Sequence, residues 1–209
     1  MVIKPFDHLE YVKSDKFNIL PLSGFSNSET INCNENGFYS IYNSDRYGFN
    51  NPDNVWDEKV VEYLLIGDSF LHGACVNRPN DIASVLRNLT SKNVINLGFR
   101  SNGPLLEFAS LKEYLPKKTK NIIWFYYEGN DLKNLKNELK NPILKKYLQS
   151  ENFTQNLKQR QKIVDLQNKY VLELNIKNQD KSKKIKNENI DVNSSKTFKI
   201  IKLFHFREI

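Results

Sequence analysis

The chain has 209 residues, of which 39% are hydrophobic and 12% aromatic, enough to build the core of one α/β domain. Its formal net charge of +7 comes mostly from lysine, and no helix-turn-helix, zinc-finger or RNA-binding signature accompanies it. We therefore expect a solvated lysine-rich surface and no nucleic-acid partner. No apolar run reaches about 18 residues, and the first residues lack the apolar core of a signal peptide. We expect no membrane span and a cytoplasmic location by default, with cell-envelope association left open.

Residues 1–60 are interpreted as a lead-in segment that packs on the core and is not a separate domain. Two turn-like stretches, Leu20–Phe25 and Glu35–Tyr39, separate short extended pieces. Asp45 and Arg46 follow, in a loop that leads towards the first core strand. We expect these two side chains to hold the loop by hydrogen bonds; the alternative is that they shape a substrate crevice.

The first core strand is predicted over Val61–Ile66 and ends abruptly in Gly67-Asp68-Ser69. Its apolar run, bounded by glycine, is typical of an interior strand of a parallel sheet. A serine at the carboxyl end of such a strand lies in the crevice where doubly wound sheets bind ligands. If a helix begins directly after it, Ser69 also lies near unpaired N–H groups and the positive end of the helix dipole.

Two later strand patterns also end in small or polar residues. Asn93–Gly98 leads into Phe99–Pro104, and Asn121–Glu128 leads into Gly129-Asn130-Asp131. Because the carboxyl ends of parallel strands meet at one edge of a sheet, we expect these segments to converge on Ser69.

Two helices are predicted between the strands. Asn80–Leu89 is capped by Asn80 or Asp81, and Pro104–Leu115 begins with a proline that suits the first helical turn. The order strand–helix–strand–helix–strand predicts a parallel α/β sheet.

These segments resemble the first three motif blocks of the SGNH hydrolases, also called the GDSL esterase/lipase family. The blocks are Gly67-Asp68-Ser69, the strand-two turn at 96–103, and Glu128-Gly129-Asn130-Asp131, and the resemblance covers roughly residues 40–135. It implies an α/β fold of three layers, α/β/α, around a parallel, doubly wound, flavodoxin-like sheet. The core would occupy 61–135, with a helical insertion after the third strand.

The resemblance also implies a reaction, the hydrolysis of an acyl ester of a small molecule or a surface glycan by an esterase or deacylase. Ser69 would attack the ester carbonyl, and its backbone N–H would donate to the oxyanion. The second donor would be the backbone N–H of Ser101, at a position the family usually fills with glycine, or that of Gly103 if the turn is shifted. The side-chain amide of Asn130 would be the third donor. No metal or organic cofactor is implied, and we expect Asp68 and Asp131 to bind turn amides.

The general base is unknown. In the family a histidine of an Asp-x-x-His block activates the serine, because a serine hydroxyl is a poor nucleophile until a positioned base takes its proton. Here His8, His72 and His205 each lack an aspartate three residues earlier, so the block is absent. His72 lies one helical turn from Ser69, which is awkward for proton transfer, and we expect it to line the crevice or to pack in its helix. We expect His205 to pack; the alternative for either histidine is the role of general base. The second hypothesis is an inactive fragment or binding module that keeps the crevice.

The two cysteines, Cys33 and Cys75, do not have the spacing of a metal site. In an exported protein a disulfide between them would tether the lead-in segment to the nucleophile helix. The alternative is two buried free thiols.

The remainder of the chain is predicted to be mostly helical. A helical insertion covers 136–176, and its packing on the core is favoured over a lid. Its first helix begins at Asn141-Pro142, and two sets of apolar residues are expected to face inward: Ile143, Leu144, Tyr147 and Leu148, then Ile163, Leu166, Tyr170 and Leu174. Residues 177–197 have the composition of a linker. Residues 198–209 are interpreted as the start of a further core element, with a membrane-surface helix as the alternative.

Overall fold

The computed structural model describes residues 3–11, 18–35 and 37–178. The chain divides into two compact units, Met1–Val171 and Leu172–Ile209. In the second unit the described residues, 172–178, are helical. Most of the predicted linker, the predicted element at 198–209 and His205 lie outside the described residues. None of the helices in the described part of the chain has the length and apolar character needed to cross a membrane.

The described part of the first unit is a mixed α/β structure. Its elements in chain order are α1 (Pro5–Tyr11), β1 (Glu29–Cys33), β2 (Ser40–Asn43), a short 3-10 turn (Asp53–Trp56), β3 (Val61–Ile66), α2 (Ser69–His72), α3 (Ile82–Thr90), β4 (Val94–Asn96), α4 (Pro104–Tyr114), β5 (Thr119–Trp124), α5 (Asp131–Glu138), α6 (Pro142–Gln149) and α7 (161–171).

The main sheet has three parallel strands in the order β4-β3-β5, which confirms the parallel α/β sheet predicted from the sequence. Leu64, in the central strand, pairs with Ile95 on one side and with Ile122 on the other. A separate antiparallel pair, β1 and β2, is formed by the lead-in segment, and the turn predicted at 35–39 joins its strands.

Both faces of the central strand β3 are buried, which accounts for its continuous apolar run. Leu64 and Ile66 belong to the larger core cluster, together with residues of α4 and α6. Leu65, on the opposite face, packs in a smaller cluster with Leu71 and Ala83. Because the side chains of β3 alternate between these two clusters, helices pack against both faces of the strand.

The lead-in segment contributes fully buried residues to the larger core. Ile19, Leu20, Leu22 and Phe49 lie in the same cluster as Leu64. Residues 18–60 are thus structural partners of the sheet.

The two crossover helices lie close to their predicted positions. Helix α3 starts at Ile82, because the Asp81 side chain accepts the Ser84 N–H at 3.0 Å and acts as the N-cap. Helix α4 begins at Pro104, as predicted.

The predicted inner faces of the later helices were partly wrong. Leu148 of α6 and Leu166 of α7 are each 57% exposed. In α7 the buried stripe instead contains Val164, Asn168 and Val171. Asn168 is tolerated inside because its amide donates to the Ser23 carbonyl at 3.2 Å and its oxygen bonds His8 at 2.8 Å. The spacing of apolar residues does not indicate that a polar residue such as Asn168 is buried, so it predicts a neighbouring face of the helix.

Candidate functional site

The turn after β3 places Ser69 at the first position of α2, half-buried. Gly67 is required here because a Cβ would lie 2.9 Å from the Phe125 Cβ and 3.2 Å from that of Leu71. The Asp68 side chain accepts the Phe70 N–H at 2.9 Å, so it binds a turn amide as predicted. Burial raises the pKa of Asp68, against the effect of that N–H bond.

Helix α2 has only four residues and ends at Gly73, whose φ of 75° is in the left-handed region. The helix-dipole contribution expected from the sequence is therefore that of a single turn. The first-turn N–H of Ser69 has no partner inside the helix, because such a bond would need a preceding turn.

Three asparagine side chains from other segments cap the carboxyl end of α2. The Asn96 amide donates to the Leu71 carbonyl at 2.7 Å, and the Asn50 amide donates to the His72 carbonyl at 2.9 Å. The Asn32 amide donates to the next carbonyl, that of Gly73, at 3.4 Å. These bonds stabilise a helix too short to stand alone. No pattern in the sequence indicates these bonds, because the partner of an asparagine side chain is set by the fold and not by its neighbours in the chain.

The turn after β4 lies directly against α2. A Cβ on Gly98 would come within 2.8 Å of both the Leu71 side chain and the His72 nitrogen. Beyond it, Ser101 has a φ of 64°, in the left-handed region. The Gly103 N–H donates to a carboxylate oxygen of Glu138 at 2.6 Å.

The loop after β5 carries Asn130 as the N-cap residue of α5, yet its side chain makes no capping bond. Among the described residues its buried Oδ1 has no hydrogen-bond partner. Asp131 accepts the Tyr127 N–H at 2.7 Å, again a turn amide as predicted. A Cβ on Gly129 would lie 2.6 Å from the half-exposed Tyr127 ring, so a larger residue there would displace this ring.

Backbone hydrogen bonds join the three loops at the same edge of the sheet. The Phe99 N–H donates to the Gly67 carbonyl at 3.1 Å, and the Phe125 N–H donates to that of Ile66 at 2.8 Å. The Phe70 and Tyr127 rings lie 5.1 Å apart, which connects α2 to the loop after β5. The segments that carry Ser69, Ser101 and Asn130 are therefore neighbours.

His72 is a packing residue. Its ring is fully buried and stacks on Phe99 at 4.5 Å. Its Nδ1 accepts the Arg100 N–H at 3.2 Å, so the proton lies on Nε2, which donates to the Tyr42 hydroxyl at 2.9 Å. Burial, and secondarily the charge of Arg100, lowers the pKa of His72 to about 3. With both nitrogens engaged, this ring cannot take a proton from Ser69.

His8 is also buried and bonds Asn168 through Nε2. Burial lowers its pKa to about 4, against that hydrogen bond. Over residues 3–11, 18–35 and 37–178, no histidine hydrogen-bonds Ser69.

Asp45 and Arg46 hold the lead-in loop, in agreement with the first of the two sequence interpretations. The Asp45 carboxylate accepts the indole N–H of Trp56 at 2.7 Å and an amide N–H of Asn51 at 2.8 Å. Burial nevertheless raises its pKa. The Arg46 guanidinium pairs with Asp53 at 2.6 Å and Asp57 at 2.7 Å, in an exposed setting where such pairs contribute little stability.

Cys33 and Cys75 form a disulfide with a Cα–Cα distance of 4.8 Å, the first of the two alternatives left open by the sequence. It joins the end of β1 to the segment that follows α2. Glu35 lies near both sulfurs, but a disulfide sulfur is not the thiolate that a metal requires. A cavity of about 540 Å³ opens beside the disulfide and includes Arg100 in its lining, but not Ser69.

Two buried glutamates that sequence analysis did not single out lie near the site. Burial raises the pKa of Glu107 to about 8 and that of Glu138 to about 7. The Trp124 indole donates to Glu107 at 2.7 Å. The charges of Asp131, Glu138 and Asp68 raise the pKa of Glu107 further. The edge of the sheet beside Ser69 is therefore acidic.

No protein-family model, curated protein or solved structure matches this chain.

Proposed function

We propose that this chain carries the nucleophile and oxyanion-binding part of an SGNH/GDSL-type serine hydrolase, an esterase or deacylase acting on an acyl ester. The observation that carries the proposal is the convergence of three neighbouring strand ends on one edge, each followed by a candidate catalytic group. The strand order β4-β3-β5 is compatible with the doubly wound, three-layer α/β/α sheet of that family.

In the proposed reaction Ser69 Oγ attacks the ester carbonyl and loses its proton to a base. The carbonyl oxygen becomes an oxyanion that accepts hydrogen bonds from the Ser69 N–H, the second loop and the Asn130 amide. Collapse expels the alcohol, which takes the proton from the base, and water then hydrolyses the acyl-serine by the same steps in reverse order.

Two facts favour Ser101 over Gly103 as the donor from the second loop. The Gly103 N–H is already bonded to Glu138, so it is unavailable to an oxyanion. Ser101 has a positive φ, the backbone conformation for which glycine is the usual residue, and the family usually has glycine at this position.

The substrate would meet an apolar rim beside Ser69. Phe70 is 61% exposed, and Tyr126 and Tyr127 are about half exposed. Such side chains suit the acyl chain or the ring of an acylated small molecule or glycan.

A histidine base has to come from outside the described residues, because His8 and His72 are engaged elsewhere. This same fact favours the alternative function, a binding module that keeps the crevice but has no catalytic histidine. In a serine protease, removing the catalytic histidine costs on the order of a millionfold in turnover.

The two functions separate in a labelling experiment on the purified 209-residue chain. A fluorophosphonate probe is applied to the wild type and to Ser69→Ala, each with and without added imidazole as an external base. We expect labelling of the wild type, at least with imidazole, and none of Ser69→Ala. A folded wild type that stays unlabelled in both conditions would reject the hydrolase proposal in favour of the binding module.

A further inference from the structure

The buried carboxylate of Glu138 caps a helix to which it does not belong. It is the last residue of α5 and is fully buried. It accepts the N–H groups of Gly103 at 2.6 Å, Leu105 at 2.9 Å and Leu106 at 3.3 Å. These are the N-cap and first-turn residues of α4, whose N–H groups lack partners inside the helix.

A side chain at the N-cap position usually provides this bond, but Gly103 has none. Gly103 is also the residue that allows the approach. A Cβ there would lie 2.5 Å from the Asn134 Cβ and 2.9 Å from a Glu138 oxygen. Glycine at the cap and a remote glutamate thus form one arrangement that ties the start of α4 to α5.

Helix α5 is fastened to the other loop as well. At its first turn Asp131 accepts the Tyr127 N–H, which holds the loop that carries Asn130. At its middle the Asn134 amide donates to the Asn102 carbonyl at 3.4 Å, in the turn that carries Ser101. Asn130 and the Ser101 turn are therefore linked through a single rigid helix.

We propose that Glu138 is a positioning residue, which sets the Ser101 turn relative to Asn130 and so fixes the distance between two of the three oxyanion donors. This inference rests on the proposed function for its catalytic meaning. The structural coupling between the two loops stands on the hydrogen bonds alone. Oxyanion donors act only when they are held in place before the charge develops, and an error of about 1 Å can cost on the order of a hundredfold in rate.

The ionised carboxylate is the form that accepts all three N–H groups, because protonation turns one oxygen into a donor. Burial raises the pKa of Glu138 to about 7, against those three bonds. Asp131 of α5 is the charged group that raises the pKa of Glu138, and Glu138 in turn raises that of Glu107 of α4. Asp68 of the β3 turn raises the pKa of both Asp131 and Glu107. The coupling should therefore be visible as a titration near neutral pH.

Amide resonances of the wild-type chain, Glu138→Gln and Glu151→Gln test the coupling without any need for activity. Glu151 is exposed and makes the same charge change elsewhere. We expect the Gly103 amide, which donates directly to Glu138, to shift with pH around 7 in the wild type and to lose this transition in Glu138→Gln. The Ser101 amide and the Asn130 side-chain amide should move in Glu138→Gln but not in Glu151→Gln. Unchanged Ser101 and Asn130 resonances in a folded Glu138→Gln would overturn the inference.

Asn134→Ala is the second variant, in case Glu138→Gln does not fold. It removes only the bond to the Asn102 carbonyl and should move the same Ser101 and Asn130 resonances by a smaller amount. If neither resonance moves, α5 does not couple the loops.

Fluorophosphonate labelling then tests whether the coupling affects the reactivity of Ser69. We expect Glu138→Gln to label about a hundredfold more slowly than wild type, and Glu151→Gln to label at the wild-type rate. Equal rates for wild type and folded Glu138→Gln would reject the positioning role while leaving the hydrolase proposal intact. A wild type that never labels would reject the hydrolase proposal, and the resonance experiment would still decide the coupling.

Discussion

The two flanks of the central strand β3 differ sharply in how they are covered. Ile95 of β4 and Ile122 of β5 both pair with Leu64, one on each side. Ile95 is fully buried, whereas Ile122 is 48% exposed. Trp124, further along β5, is 45% exposed. Equivalent positions in one sheet therefore have different surroundings.

The β4 flank is buried because polar side chains of the lead-in segment cover it. Asn51 is central to this closure. Its amide donates to Asp45 and to the Asn96 carbonyl, and its oxygen accepts from the Asn96 N–H and from Arg87. It thereby continues the hydrogen bonding of β4 with side-chain groups. Ser69 lies on the turn that this flank supports.

The β5 flank has no such cover among the described residues, and its loop depends on a helix instead. Asn130 is held through α5, which Glu138 and Asn134 connect to the neighbouring turn. The comparison teaches that the serine turn and the asparagine loop are fixed by different means. One depends on the lead-in segment, the other on a buried carboxylate.

The largest effect is expected from Asn51→Ala, which opens the β4 flank. It removes one hydrogen bond each from Asp45, Arg87 and two backbone groups of Asn96 in a buried setting, and should lower the free energy of unfolding by about 3–5 kcal/mol. Urea denaturation measures this change. Asn54→Ala, three residues away and exposed, is the matched control and should change stability by less than about 0.5 kcal/mol. Equal losses in both variants would contradict the role given to Asn51.

Truncating the two isoleucines that flank Leu64 tests the difference directly. Ile95→Ala removes fully buried atoms and should cost about 2–5 kcal/mol. Ile122→Ala removes atoms that are half in water already, so about 1 kcal/mol or less is expected. Denaturation of both variants under the same conditions gives the ratio. A comparable cost at both positions would mean that the β5 flank is covered in solution.

The smallest effect concerns the acidic side of the site and its dependence on pH. Folded Glu107 keeps its proton up to about pH 8, whereas unfolded glutamate releases it near its ordinary pKa of 4.5. The folded state then binds more protons than the unfolded state, so stability falls as pH rises through this range. Glu138, with a pKa of about 7, acts in the same direction over the lower part of the range.

The histidines oppose this trend below about pH 6.5. In the unfolded chain His8 and His72 bind protons there, whereas their folded pKa values of about 4 and 3 keep them neutral, so they lower stability as the pH falls. The effect of the glutamates is therefore measured without that of the histidines between pH 6.5 and 8. There we expect stability to fall by about 1 kcal/mol per pH unit, and Glu107→Gln to flatten the slope while Glu151→Gln leaves it unchanged. Urea midpoints at several pH values measure it. A wild-type stability that rises across this window would contradict the raised pKa of Glu107.

Local patterns predicted the elements well where the signal lies within a short stretch. Val61–Ile66 is a strand and Pro104 opens a helix, because apolar runs and proline act on their own neighbours. The face of α7 was predicted wrongly, since the burial of Asn168 depends on His8 and Ser23, far away in the chain. The asparagine caps of α2 were missed for the same reason.

By itself the sequence determined the order of the three core strands and the two helices between them, the parallel sheet and the segments that follow each strand. Those properties depend on side-chain period and on glycine and proline, which are read locally. Only the tertiary structure decided that His72 is locked between Arg100 and Tyr42, that the Gly103 N–H is occupied by Glu138, and that one flank of β3 is buried and the other exposed. Hydrogen-bond partners and burial depend on residues tens of positions apart, and pairwise contact is a property of the folded chain.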